Sequence, residues 1–173
     1  MNKLGMTVTL LAGVGTLAAC SREAPEELPP APATSTSTTA PTTGQAGTGA
    51  PQPGSQAHFQ NAVGSSTTIY FDTDRFNVDS EDAAALQTQA QYFAQYPQVT
   101  FTIEGHADER GTREYNLALG ERRANAAKNY LVSLGVNPSR ITTVSFGKER
   151  PVALASTEEA WARNRRAASV IIN

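Results

Sequence analysis

Between Ser21 and Gln56 the chain carries one large aliphatic residue, Leu28, in a background dominated by Pro, Thr, Ser, Ala and Gly. Runs such as Pro29-Pro30-Ala31-Pro32 and Thr34-Ser35-Thr36-Ser37-Thr38-Thr39 bury too little apolar surface to offset the entropy of ordering a chain. This stretch is therefore expected to be a disordered tether. Whatever folds must come from the sequence behind it, residues 58–173, which is enough for one hydrophobic core and no more.

The pattern behind the tether switches between periods of two and of three to four. Thr67-Thr68-Ile69-Tyr70-Phe71 is β-branched and aromatic and reads as a strand. Asp79 and Ser80 are good N-caps for a helix running to Tyr96, where Pro97 ends it, with an apolar stripe of Ala83, Leu86, Ala90 and Phe93. Residues 99–104 alternate, which puts Val99, Phe101 and Ile103 on one face. A second helix is expected from Thr112–Glu114 to Leu134, with Gly135 past its end and Gly120, Ala124, Ala127, Leu131 and Leu134 buried. A strand over 141–146, a short helix over 157–164 and a last strand over 168–172 complete the order βαβαβαβ. That order predicts an α/β fold with helices packed on a small sheet.

Charge narrows the function. In residues 58–173, five aspartates and eight glutamates oppose twelve Lys/Arg, which is no basic field for nucleic acid. Zinc needs three or four ligands, yet the chain has two histidines, His58 and His106, and one cysteine, Cys20. His58 is expected at the edge of the tether, and His106 as a polar residue bonding the loop backbone. Ser145, inside a strand, is a poor nucleophile. No catalytic residue, metal or cofactor is assigned, and the chain is expected to be a binder and not an enzyme.

The binding chemistry concentrates in Gly105-His106-Ala107-Asp108-Glu109-Arg110-Gly111-Thr112 and the helix that follows. Asp108 is placed four residues beyond the expected end of the second strand. Asn116, Leu119 and Arg123 are spaced to share one side of the helix, with Arg123 directed back along it. A carboxylate accepts bonds from an ammonium group, and a guanidinium grips a carboxylate with two parallel bonds. The first turn of the helix also offers free N–H groups to an anion. Together they suit a ligand bearing an amine and a carboxylate on one carbon. An alternative is a simple Asp108–Arg123 ion pair capping the loop, a surface bridge worth about 0–1 kcal/mol. Trp161 is expected as a core plug, Arg165 and Arg166 as partners of acids such as Asp72, and Tyr115 is left open.

The run from Gly105 to Thr112, with Asn116-x-x-Leu119-Gly120-x-x-Arg123-Ala124, Ser145-Phe146-Gly147-Lys148-Glu149 and Asn164-Arg165-Arg166, resembles OmpA-like domains of the peptidoglycan-associated lipoprotein (Pal) type. The likeness extends from Ile69 to Ile172. It implies a two-layer sandwich on a mixed sheet. It also implies a ligand, the free end of meso-diaminopimelate in peptidoglycan stem peptides, held by Asp74, Asp108, Arg110, Thr112, Leu119 and Arg123. Partners of the Tol system, TolB and TolA, are implied as well, as is a role in envelope integrity and cell division. A module serving chiefly as a docking domain for periplasmic proteins is the alternative. Two positions depart from the family pattern: Gly120, where many members have serine, and Thr73, where an aromatic residue is more usual.

The front of the chain fits an exported protein. Met1-Asn2-Lys3 supplies one positive charge, and residues 4–17 are uncharged and mostly apolar. The run falls short of the roughly 17–25 residues of a membrane span, so it reads as a signal peptide, residues 1–19. Leu17-Ala18-Ala19-Cys20 resembles the lipobox of bacterial lipoproteins, which implies lipidation of Cys20 (palmitate among the acyl chains) and attachment to the outer membrane, with the domain facing the periplasm. Residues 20–57 would then form a leash spanning roughly 35 Å as a coil and about 130 Å at full stretch.

Overall fold

The computed structural model describes residues 50–172. Cys20, the expected signal peptide and most of the expected tether lie outside the described residues. Eight principal elements follow in order: α1 (Gln56–Val63), β1 (Thr68–Tyr70), α2 (Ser80–Gln95), β2 (Phe101–His106), α3 (Arg113–Ser133), β3 (Ile141–Gly147), α4 (Glu158–Asn164) and β4 (Arg166–Ile171). The strands form one sheet in the order β1-β4-β2-β3. β2 and β3 run parallel, while β4 is antiparallel to both of its neighbours. The sheet is mixed, with helices packed against it.

Helix α1 was not expected, and the boundary drawn at 58 falls inside it. Its only strong apolar residues are Phe59 and Val63, too few for a periodic signal. The Ser55 hydroxyl caps it by accepting from the His58 N–H. Phe59 is fully buried against Tyr92 and Phe93, which explains why so polar a segment is recruited. His58 is thus part of the fold, its Nδ1 3.0 Å from the Tyr92 hydroxyl.

The core lies between the sheet and the helices. Ile69, Phe101, Ile103, Ala167 and Ile171 from the strands meet Leu86, Phe93, Ala124, Ala127 and Leu131 from the helices. Phe93 stacks on Phe101 with centroids 3.7 Å apart. Val99, Phe101 and Ile103 are all buried, as their alternation requires. Helix α3 ends as expected: Gly135, at φ +95°, donates to the Val132 carbonyl and Val136 to that of Leu131, a Schellman cap. Leu134 departs from the expected stripe and is 40% exposed, because it is the capping residue and the chain turns outward there.

One contact fixes how α3 sits on the sheet. A Cβ on Gly105 would lie 1.8 Å from the Gly120 carbonyl oxygen, so strand and helix touch backbone to backbone. Neither position has room for a side chain. Gly105→Ala is expected to push α3 off β2 and to destabilise the full chain by about 1–3 kcal/mol, the usual cost of overpacking. A urea midpoint unchanged from wild type would contradict this.

Candidate functional site

Strand β2 continues to His106, two residues further than its alternation suggested, so Asp108 stands two residues past the strand end. The loop that follows is pinned. Ala107 N–H donates to Gly147 O, Asn116 Nδ2 to Arg110 O at 2.7 Å, and Lys148 Nζ to the carbonyls of Glu109 and Gly111. Thr112 caps α3, its hydroxyl accepting from the Tyr115 N–H.

Arg123 comes off the buried face of α3 and is wholly inaccessible. Its Nη1 donates to His106 O at 2.8 Å, Nη2 to Asp72 O at 3.0 Å and Nε to Arg75 O at 2.9 Å. One side chain therefore ties the β1–α2 loop to the end of β2. Burial pushes its guanidinium down to about 10, still charged at neutral pH, and a guanidinium has five N–H groups, so two remain for other acceptors.

Asp108 is buried and does not pair with Arg123. Both its oxygens are taken by Arg110, through Nη2 at 2.7 Å and Nε at 3.2 Å, and the Arg110 backbone N–H adds a third bond. Arg165 Nη1 lies 3.5 Å away. Burial alone would raise the carboxyl; the bonds from Arg110 and Arg165 outweigh it and hold the group below its ordinary range. Arg165 is thus a neighbour of the site and no partner of Asp72: it joins Asp108, Glu158 at 2.8 Å and the Phe71 carbonyl. Arg166 instead donates to the Asn164 and Arg150 carbonyls.

These groups surround a cavity of about 260 Å³. Of the six residues singled out in the sequence, Asp74, Asp108, Arg110, Leu119 and Arg123 line it; Thr112, whose hydroxyl caps α3, stands at its edge in sequence but is not part of the lining. Thr73, Ala107, Gly111, Tyr115 and Asn116 complete the wall. Asp74 is held at φ +55°, a conformation that aspartate tolerates better than most residues, and accepts from the Tyr115 hydroxyl at 3.1 Å. That bond raises the Tyr115 hydroxyl. Thr73 accepts from Arg110 Nη2 at 3.3 Å, a polar contact where the family pattern has an aromatic residue. Trp161 is no core plug. It is half-buried, and the Arg110 guanidinium lies 4.2 Å from the centre of its ring. Among the described residues no group of three or more His, Cys, Asp or Glu could hold a metal ion.

Residues 70–165 match the model of the OmpA family. The chain belongs to the OmpA family. It is 54% identical over 125 residues to the peptidoglycan-associated lipoprotein of Rhizobium meliloti (strain 1021), covering 72% of this chain and 70% of that one. It is 50% identical over 128 residues to the protein of the same name from Agrobacterium fabrum, covering 74% and 71%. The crystal structure of the peptidoglycan-associated lipoprotein from Burkholderia pseudomallei superposes with a TM-score of 0.62 at 45% identity, covering 66% of this chain and 99% of that one.

Beside the site, this OmpA-family domain buries an imidazole. Neither ring nitrogen of His106 has a hydrogen-bond partner among the described residues, so its expected bond to the loop backbone is absent; its carbonyl, not its ring, serves the site. The ring is stacked on Phe146. Glu104 Oε2 is 3.5 Å from Nε2 but out of bonding geometry, and burial with the charges of Arg166 and Arg150 pushes the imidazole down to about 3, so the ring is neutral. An unfolded histidine titrates near 6.5. The stability gained from a neutral buried ring is complete above about pH 6.5 and drains away toward pH 3, by up to about 1.4 kcal/mol per unit. Asp108, depressed, loses its contribution only below the ordinary carboxylate range, and Asp82, whose carboxyl burial raises, acts with the opposite sign. Urea midpoints of the full chain between pH 6.5 and 4 should therefore fall more steeply in wild type than in His106→Leu; parallel profiles would contradict this assignment.

Proposed function

We propose that the cavity binds the zwitterionic end of diaminopimelate in peptidoglycan stem peptides. What supports this reading is that Asp108 and Arg123 line one small cavity: Arg123 has two N–H groups uncommitted, and the Asp108 carboxylate is open to an ammonium once the partly exposed Arg110 turns aside. The ligand ammonium meets the Asp108 carboxylate, with Asp74 as a second acid. The ligand carboxylate meets the two uncommitted N–H groups of Arg123. Arg110 lies between them and can turn to either charge, and Leu119 covers the aliphatic part of the ligand. The volume lies just below the common range for ligand pockets, roughly 300–1,000 Å³, which suits a single amino-acid end and excludes a sugar chain from the interior.

The protein is a Pal homologue whose non-enzymatic OmpA domain binds peptidoglycan and anchors the outer membrane to the cell wall. Cys20 carries the lipid, and the residues between it and α1 leash the domain in the periplasm. Attachment to the wall is noncovalent, so the domain can release and rebind as the wall is remodelled at division. TolB and TolA are the proposed protein partners.

Titration of the full chain with a diaminopimelate stem peptide should show saturable binding, and the lysine analogue, which lacks the terminal carboxylate, should bind at least about tenfold more weakly. Asp108→Asn is expected to cost roughly 10–150-fold, the worth of one charge-assisted bond of about 1.5–3 kcal/mol, and to reduce co-sedimentation with sacculi. Equal binding of both peptides, or full retention by Asp108→Asn, would refute the assignment. Arg123→Ala is the poorer variant, since it also removes the donor from three carbonyls, that of His106 buried. In cells, metabolic palmitate label should disappear from Cys20→Ser; label that persists there would place the anchor elsewhere.

A further inference from the structure

Arg110 is gripped from two sides. On the cavity side it holds both oxygens of Asp108. On the other its guanidinium lies over Trp161, 4.2 Å from the ring centre, with Nη1 3.9 Å from Glu158 Oε2. Neither Trp161 nor Glu158 lines the cavity. Both are themselves fixed: the indole Nε1 donates to Glu109 Oε1 at 2.9 Å, and Glu158 Oε1 accepts from Arg165 Nη2 at 2.8 Å.

This arrangement matters because Arg110 and an incoming ammonium compete for the same carboxylate. If Asp108 were its only strong partner, Arg110 would close on the acid and exclude the ligand. A second grip, already made while Asp108 is held, lowers that barrier. The aromatic face attracts a cation without demanding a directed bond, and Glu158 supplies a counter-charge.

We propose that Trp161 and Glu158 form a seat that keeps hold of the Arg110 guanidinium, which already lies against them, when a ligand ammonium takes Asp108. They are positioning residues: they act on the ligand through Arg110 and do not touch it. The inference rests on the ligand assignment above and deepens it, by locating at the start of α4 a determinant of how readily the site opens.

The test is a double-mutant cycle on the full chain, titrated with the diaminopimelate stem peptide. Trp161→Ala should weaken binding about two- to fivefold, the worth of an exposed cation–π contact, while Trp161→Phe, which keeps a ring face but loses the bond to Glu109, should stay within about twofold of wild type. In an Arg110→Gln background Trp161→Ala should have no further effect. A loss of the same size in that background would mean that Trp161 acts by general destabilisation, and would overturn the seat. The Arg110 Nε–H resonance of the free protein gives a second reading that needs no ligand. It should be displaced by the indole ring current in wild type and should lose that displacement in Trp161→Ala, where only the bond to Asp108 remains. An undisplaced resonance in wild type overturns the seat. Where Arg110→Gln abolishes binding outright, this resonance decides. A wild type that fails to bind the peptide defeats the ligand assignment, and with it the competition that the seat is proposed to relieve.

Discussion

A single buried guanidinium organises this domain's functional end. Arg123 is inaccessible to solvent yet charged, and three carbonyls from two separate chain segments converge on it. Taking such a group out of water is costly, and only several good acceptors make it tolerable. The acceptors are main-chain carbonyls at Asp72, Arg75 and His106, so the positions of the two loops are set by the side chain they surround. The site's rim and its basic group are one structure. A neutral replacement would leave the buried His106 carbonyl without a donor, at about 1–3 kcal/mol, and would release the half-buried carbonyls of Asp72 and Arg75 as well. Rigidity follows from the same bonds, since neither loop can move without giving up a charge-assisted one.

The guanidinium reaches those carbonyls only because α3 lies so close to β2. Two glycines, Gly105 and Gly120, remove the side chains that would otherwise hold helix and strand apart. The loop between them is then short enough for Lys148 and Asn116 to bind three successive carbonyls, those of Glu109, Arg110 and Gly111. Asp108, on that loop, is fixed in place before any ligand arrives. Ordering entropy that a flexible loop would lose on binding has been spent in folding, which favours affinity for a small ligand.

Much of this is legible in the residues. Val99, Phe101 and Ile103 alternate, Gly135 stands where a left-handed cap is needed, and Asn116, Leu119 and Arg123 recur on one helical face; these are local rules acting on adjacent residues. Where the reading missed, long-range contacts decide. Helix α1 has two apolar anchors and no periodic stripe, and it exists because Phe59 fills a gap beside Tyr92 and Phe93. Trp161 resembles a core residue by type, but Arg110, fifty-one positions earlier, claims its face. Arg165 was matched to the wrong acid for the same reason, since sequence spacing does not tell that α4 packs beside the β2–α3 loop. His106 was expected to bond through its ring, and no local pattern signals that its carbonyl is the useful group. Thr112 carries a role the family resemblance did not give it: its hydroxyl caps α3.

The charge arrangement resolves an apparent contradiction between a preformed site and a reversible one. Asp108 must be ionised to attract an ammonium, and in a buried setting it would otherwise tend to take up a proton. Arg110 and Arg165 keep it ionised. The two arginines differ in kind. Arg165 is buried and also bonded to Glu158 and the Phe71 carbonyl, so it stays. Arg110 is partly exposed, with a side-chain accessibility of 39%, and is also held from outside by the face of Trp161. On the proposed reading, ligand entry would exchange one cation for another at the same carboxylate, and because the ligand end is zwitterionic, with its carboxylate meeting Arg123, the net charge of the site would not change. Such an exchange needs little desolvation of bare ions, so affinity is set by geometry more than by gross electrostatics. A wall anchor built this way can hold firmly in sum, through many copies on many stems, while each contact remains easy to undo.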